Sequence, residues 1–267
     1  MDYWCVDGVP LANYRQGKNW PKTSLMHNIL RDISMVEFTN VQLEGNEMRI
    51  AYSSPGDKAE YPAIVVMYHR GGFDEFTVKV CDDLADAGFF SAAMDLYHWP
   101  PLLEPAAENP FPVDPEIIKD ITATVGWLSG RKDVDSNRLG ILGHCMGGRM
   151  ALLGAATHDV FKACVPYYPG NTFKPWSEDG PSPFELLGDI RARILGFFGN
   201  DDQNPSPEDR DKISAELTRL GVEHEFHGYD GAGHAFQNFV APERFRPEAT
   251  VDSWSKTISF LNQTLKD

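Results

Sequence analysis

Residues 143–147 read Gly143-His144-Cys145-Met146-Gly147. Small flanks around one nucleophilic side chain constrain the fold more than any other feature of the chain. A nucleophile framed in this way sits on a sharp, strained turn between a strand and a helix. Glycine flanks let neighbouring backbones pass closely enough to lift the side chain clear of a sheet. Arg138-Leu139-Gly140-Ile141-Leu142 is a short apolar run before the turn, and Met150-Ala151-Leu152-Leu153-Gly154-Ala155-Ala156 is a small-residue, helix-forming run after it. Strand, turn and helix in that order predict a thiol raised at the edge of a sheet.

The surrounding pattern alternates. Segments 36–43 and 47–53 read as an antiparallel pair joined by a Gly45-Asn46 turn. Segment 63–68 is apolar almost throughout, as expected of a strand buried on both faces. Residues 76–87 form an amphipathic helix closed by Gly88, and 89–95 the next strand. Asp114-Pro115-Glu116 opens a helix that continues to 129. Strands follow at 163–168, 194–198 and 223–229, with helices at 207–220 and 249–265. Such alternation implies an α/β class with parallel β-α-β units, whose ligands bind at the carboxyl ends of the strands. Two irregular inserts, 97–115 and 170–188, leave from those ends and carry Trp99, Phe111, Phe173, Trp176 and Phe184, so both read as lids. Residues 1–35, with a short helix over 25–34, read as an N-terminal arm or lid packed on a single domain of residues 36–267.

Composition narrows the partners. The 267 residues hold 24 Lys+Arg against 39 Asp+Glu, a net charge of −15, which repels nucleic-acid phosphates and anionic lipid. No run of 18 apolar residues predicts a membrane span. The start, Met1-Asp2-Tyr3-Trp4-Cys5-Val6-Asp7, lacks the basic and apolar regions of a secretory signal. Four widely spaced cysteines, with no C-x-x-C pair, suit a reducing cytoplasm. No zinc-protease, phosphate-loop or dinucleotide motif appears, and His224 and His227 point to opposite faces of their strand, so neither metal nor cofactor is expected. A monomer or homodimer is expected.

A cysteine nucleophile needs a base and a group that orients the base. Asp201 and Asp202 directly follow the strand at 194–198, in Phe198-Gly199-Asn200-Asp201-Asp202. His234 follows the strand at 223–229, inside Gly231-Ala232-Gly233-His234-Ala235-Phe236. Nucleophile, acid and histidine thus come in the chain order of an elbow-based triad, all at strand ends on one edge. Asp201 is favoured as the acid, with Asp202 its rival. The oxyanion donors are expected to be the backbone N–H groups of Met146 and, from His69-Arg70-Gly71-Gly72-Phe73, of Gly71. Candidate pocket residues are His69, Arg70, Tyr97, His98, Trp99, His144, Trp176 and Phe236.

From about residue 36 to 265 the chain resembles the dienelactone hydrolase family of α/β-hydrolases. The resemblance rests on Gly-His-Cys-Met-Gly-Gly-Arg at 143–149, Met-Asp-Leu-Tyr at 94–97, Gly-Asn-Asp-x-x-x-Pro at 199–205 and Ala-Gly-His-Ala-Phe at 232–236. It implies a mostly parallel sheet of about eight strands with helices on both faces, and a metal-free Cys145-His234-Asp201 triad. It also implies hydrolysis of a small-molecule ester or lactone through an acyl-thioester. The aspartate-to-proline spacing of the third motif favours Asp201. Two departures follow from the same resemblance. Arg70 stands where relatives carry a glutamate that helps form the thiolate, with Glu75 nearby. Trp99 and Asn238 stand where substrate-binding arginines are expected, which implies a less charged, more aromatic pocket and a substrate other than dienelactone. A thioesterase, an organophosphate-reactive esterase and a non-catalytic binding protein on the same fold are the other readings.

Overall fold

The apolar runs become strands of one sheet in the computed structural model, which describes residues 5–6, 9–10, 34–56, 60–100 and 112–266. Strands β1 (Glu37–Leu43) and β2 (Asn46–Ser53) form an antiparallel hairpin. Leu43 pairs with Asn46, so the turn is Glu44-Gly45 and not Gly45-Asn46. Both turn residues have positive φ, 49° and 82°, the backbone of a type I′ turn whose twist matches the flanking strands.

Six parallel strands follow: β3 (Tyr61–Met67), β4 (Phe90–Met94), β5 (Val134–His144), β6 (Phe161–Tyr167), β7 (Arg193–Gly199) and β8 (His224–Tyr229). The order across the eight-stranded sheet is β8-β7-β6-β5-β3-β4-β2-β1, with β2 antiparallel to β4. A separate short ladder pairs Cys5–Val6 with Val9–Pro10. The helix expected over 25–34 lies outside the described residues except for Ser34.

Helices α1 (Glu75–Asp86), α2 (Asp114–Ser129), α3 (Met146–Thr157), α4 (Pro207–Leu220) and α5 (Pro247–Leu265) cover the sheet. Strand β3 shows how the core divides. Ala63, Val65 and Met67 join one apolar cluster with residues of α2, α3 and α4, while Ile64 and Val66 join another with residues of α1 and α5. This is the period of two of a strand buried on both faces. The caps are local. Asp74 accepts Thr77 N–H at the start of α1. Ser206 and Asp209 form a reciprocal capping box on α4, which Gly221 ends at φ 71°. Helix α2 has Val113 at its N-cap and no side-chain cap, and the carboxylate of its first residue, Asp114, is committed elsewhere. Its carboxylate takes the fully buried Arg149 guanidinium at 2.5 and 3.0 Å, and the Trp176 N–H at 2.8 Å. Arg149 also donates to the carbonyls of Asn171 and Lys174 and lies 4.0 Å from the Trp176 ring centroid. One buried cation therefore ties α3 to α2 and to the segment after β6, and each of its three guanidinium nitrogens has an acceptor.

Candidate active site

Cys145 joins β5 to α3 with φ 58° and ψ −118°, a backbone that non-glycine residues adopt only under strain. Close approach explains its flanks. A Cβ on Gly143 would overlap the Gly147 carbonyl, and one on Gly147 would overlap the carbonyl of Met67 on the neighbouring strand β3. The turn is held by Cys145 N–H donating to Tyr167 O at 3.0 Å and by Gly148 N–H donating to Cys145 O at 3.0 Å. With β5 near the middle of the sheet and its carboxyl end at the elbow, the thiol reaches the cavity there.

His234 lies in the loop after β8, and both of its ring nitrogens are engaged. Nε2 is 2.9 Å from Cys145 Sγ, and Nδ1 is 2.8 Å from Asp202 Oδ2. The partner is Asp202, which corrects the expectation of Asp201. The chain leaves β7 through a tight turn in which Asp202 N–H donates to Gly199 O and Asp201 N–H to Ala232 O. That turn sends the Asp201 side chain to solvent and buries Asp202, which is 4% exposed. The second oxygen of Asp202 accepts Asn204 N–H at 2.9 Å.

Electrostatics follow the contacts. Burial pushes the Cys145 thiol up, but the hydrogen bond and charge of His234, the Met146 amide and the His69 charge outweigh it and hold the thiol below its ordinary value. Burial pulls His234 down, but Asp202 and Cys145 raise it to about 10. Both shifts favour a thiolate–imidazolium pair. His69, on the loop after β3, is among the groups that lower the thiol.

The cavity in front of Cys145 has a volume of about 200 Å³, the size of a small acyl compound. His69 and Arg70 line it, as expected from sequence. Phe76, Tyr168, Asn238 and Arg244 line it too, and of these only Asn238 had been singled out in the sequence. The other expected pocket residues do not form this wall. His98 and Trp99 both turn to the buried Asp120, at 2.9 and 3.1 Å. His144 packs between Tyr167 and Phe76 and bonds Gln237 Oε1 at 2.8 Å; burial pushes its pKa down to about 3, so it is neutral. Trp176 stacks on Arg149, Phe236 is fully buried in the core, and Tyr97 reaches Met146 Sδ through its hydroxyl. The expectation of a less charged pocket is corrected as well, since Arg70 and Arg244 both stand on the wall and Trp99 does not. Arg244 follows an irregular stretch after the histidine loop, where no periodicity marks it.

The two expected oxyanion donors are in different states. The Met146 amide, at the start of α3, is one of the groups that hold the Cys145 thiol below its ordinary value. Gly71 N–H donates to Nδ1 of His69 at 3.2 Å. Among the described residues no cluster of His, Cys, Asp and Glu could hold a metal ion.

A central sheet in this order, with a glycine-framed strand-to-helix elbow and a histidine–aspartate pair at its carboxyl edge, is that of an α/β-hydrolase. The more particular placement follows from comparison with known proteins. The profile of the "Dienelactone hydrolase family" matches residues 49–265, and the chain belongs to that family. A protein of Bradyrhizobium sp named "Probable 2-oxo-3-(5-oxofuran-2-ylidene)propanoate lactonase" is 32% identical over 229 residues, covering 80% of this chain and 89% of its own. A candidate dienelactone hydrolase from Klebsiella pneumoniae superposes with a TM-score of 0.75 at 23% identity, over 85% of this chain and 99% of its own. A dienelactone hydrolase-like promiscuous phosphotriesterase from metagenomic libraries superposes with a TM-score of 0.71 at 19% identity, over 86% of this chain and 99% of its own. Family membership makes the protein a hydrolase acting on ester or lactone bonds. No described helix is long and apolar enough to cross a membrane.

Proposed function

We propose that the protein hydrolyses a small ester or lactone by Cys145 nucleophilic catalysis through an acyl-thioester. The observation that carries this reading is the unbroken line Cys145 Sγ–His234 Nε2–His234 Nδ1–Asp202 Oδ2, with contacts of 2.9 and 2.8 Å. His234 takes the Cys145 proton, and the thiolate attacks the acyl carbon. The carbonyl oxygen becomes an oxyanion facing the Met146 amide and the positive start of α3. On collapse, His234 returns the proton to the leaving alkoxide, which in a lactone stays tethered as a hydroxyl. Water then gives a proton to His234 and attacks the thioester. The carboxylic product departs and the Cys145–His234 pair is restored. Asp202 keeps the His234 proton on Nδ1, so that Nε2 is free to accept.

Arg70 and Arg244 suit a substrate that carries a carboxylate. A free nucleophilic thiol suits a reducing compartment such as the cytoplasm. Replacing Cys145→Ala is expected to lower turnover of p-nitrophenyl acetate by roughly 10⁴- to 10⁶-fold. Turnover at the wild-type rate in that variant overturns the reading.

A further inference from the structure

A second histidine–aspartate pair borders the same cavity. His69 Nε2 is 2.8 Å from Asp74 Oδ2, and His69 Nδ1 accepts Gly71 N–H at 3.2 Å. Together these bonds define one neutral tautomer, with the proton on Nε2 donated to the carboxylate and the Nδ1 lone pair turned to the glycine amide. Asp74 is itself held, because its other oxygen caps α1 by accepting Thr77 N–H at 2.9 Å. The ring lies edge-on to Phe76, and a Cβ on Gly71 would overlap it. The Gly71 amide and the imidazole are thus pressed together, and the amide expected to complete the oxyanion hole is occupied.

We propose that His69 is a positioning residue that controls the Gly71 amide: the neutral ring holds Gly71 N–H out of the oxyanion hole, and a proton on Nδ1 releases it. A doubly protonated imidazole has no acceptor. It stays on Asp74 through Nε2–H, while Nδ1–H and Gly71 N–H, two donors, turn away from each other. The released amide joins Met146 N–H on the oxyanion. The inference rests on the thiol mechanism above and adds to it a condition on when the second donor is available.

The surroundings favour the protonated ring. Burial lowers the pKa of His69, but the Asp74 charge and hydrogen bond and the Cys145 thiolate raise it above 6.5. The other groups facing this space are His144, which burial keeps neutral, and, around the cavity, Arg70, His234 and Arg244. The sign follows. Below the His69 pKa the amide is free and kcat is high. As pH rises through it, the amide is captured and kcat falls by up to about 10²-fold, the cost of one oxyanion donor, with KM unmoved.

The test is the pH profile of kcat for p-nitrophenyl acetate in the full chain, wild type against His69→Leu, with Cys145→Ala alongside. Leucine has no acceptor, so the fall specific to His69 is expected to vanish whatever the height of the profile. In parallel, the Gly71 amide signal in a 1H–15N spectrum of the wild-type protein is expected to titrate with the midpoint of the His69 ring. A fall that persists in His69→Leu, or a Gly71 amide that ignores the titration of His69, overturns the proposal. If Cys145→Ala is inert in the same experiment, the thiol mechanism survives that result; if it is active, the mechanism fails first.

Discussion

The His234–Asp202 and His69–Asp74 pairs are built to the same plan and differ in one respect. In each, one carboxylate oxygen accepts a backbone N–H at 2.9 Å, from Asn204 or Thr77, and the other holds the ring at 2.8 Å. The carboxylate grips Nδ1 of His234 but Nε2 of His69. The free acceptor nitrogen of His234 therefore meets a thiol that can give up its proton, whereas that of His69 meets a backbone amide that cannot. A histidine–aspartate pair is a device for placing a lone pair, and its chemistry is set by what the lone pair meets. The buried His98–Asp120 pair makes the point from the other side: it is not on the cavity wall and, among the described residues, meets no thiol.

The same substitution in both pairs puts the comparison to work. Asp202→Asn is expected to have the largest effect. Its oxygen stays on Asn204 N–H, and its amide N–H₂ turns to His234 Nδ1. That change forces the proton onto Nε2 and leaves Cys145 without a base. A loss of about 10²- to 10⁴-fold in kcat for p-nitrophenyl acetate is expected, with little change in thermal stability. Asp74→Asn is the milder counterpart. Its oxygen stays on Thr77, its amide donates to His69 Nε2, and the neutral ring now carries its proton on Nδ1 and cannot hold Gly71. The high-pH fall in kcat is expected to disappear, with roughly tenfold or less change at its plateau; a fall that moved without shrinking would break the parallel between the pairs. Asp201→Asn is expected to leave kcat, KM and the pH profile within about twofold of wild type, because exposed groups without such bonds contribute little. A large loss there would return the orienting role to Asp201.

Much of the sheet was legible in the chain. Apolar runs on both faces, a glycine closing α1 and a proline opening α2 are local signals, and those elements lie where the pattern places them. The hairpin turn was displaced by one residue, because Gly45 draws attention to itself while Glu44 takes positive φ without advertising it. The same kind of slip decided the acid. Asp201 and Asp202 are adjacent, and past the end of β7 no alternation says which faces inward. A turn closed by the Gly199 carbonyl settles it. The pocket was the least legible part. Trp99 and Trp176 sit in inserts that leave the correct edge, yet their rings go to Asp120 and Arg149, buried charges far away in sequence. Arg244 reaches the cavity from an irregular stretch where sequence spacing carries no directional signal.

The elbow marks the division. The sequence alone determined that Cys145 stands on a glycine-framed strand-to-helix turn, since backbones that pass this closely leave no room for a Cβ at Gly143 or Gly147. It also determined that a histidine follows in the right order at the same edge, because parallel strands deliver their loops to one side of a sheet. Only the tertiary structure decided which aspartate holds His234, which side chains wall the cavity, and that a second imidazole holds Gly71. Those outcomes depend on rotations of single residues in turns and loops, where hydrogen bonds between segments as far apart as the 93 residues from His144 to Gln237 outweigh local preference.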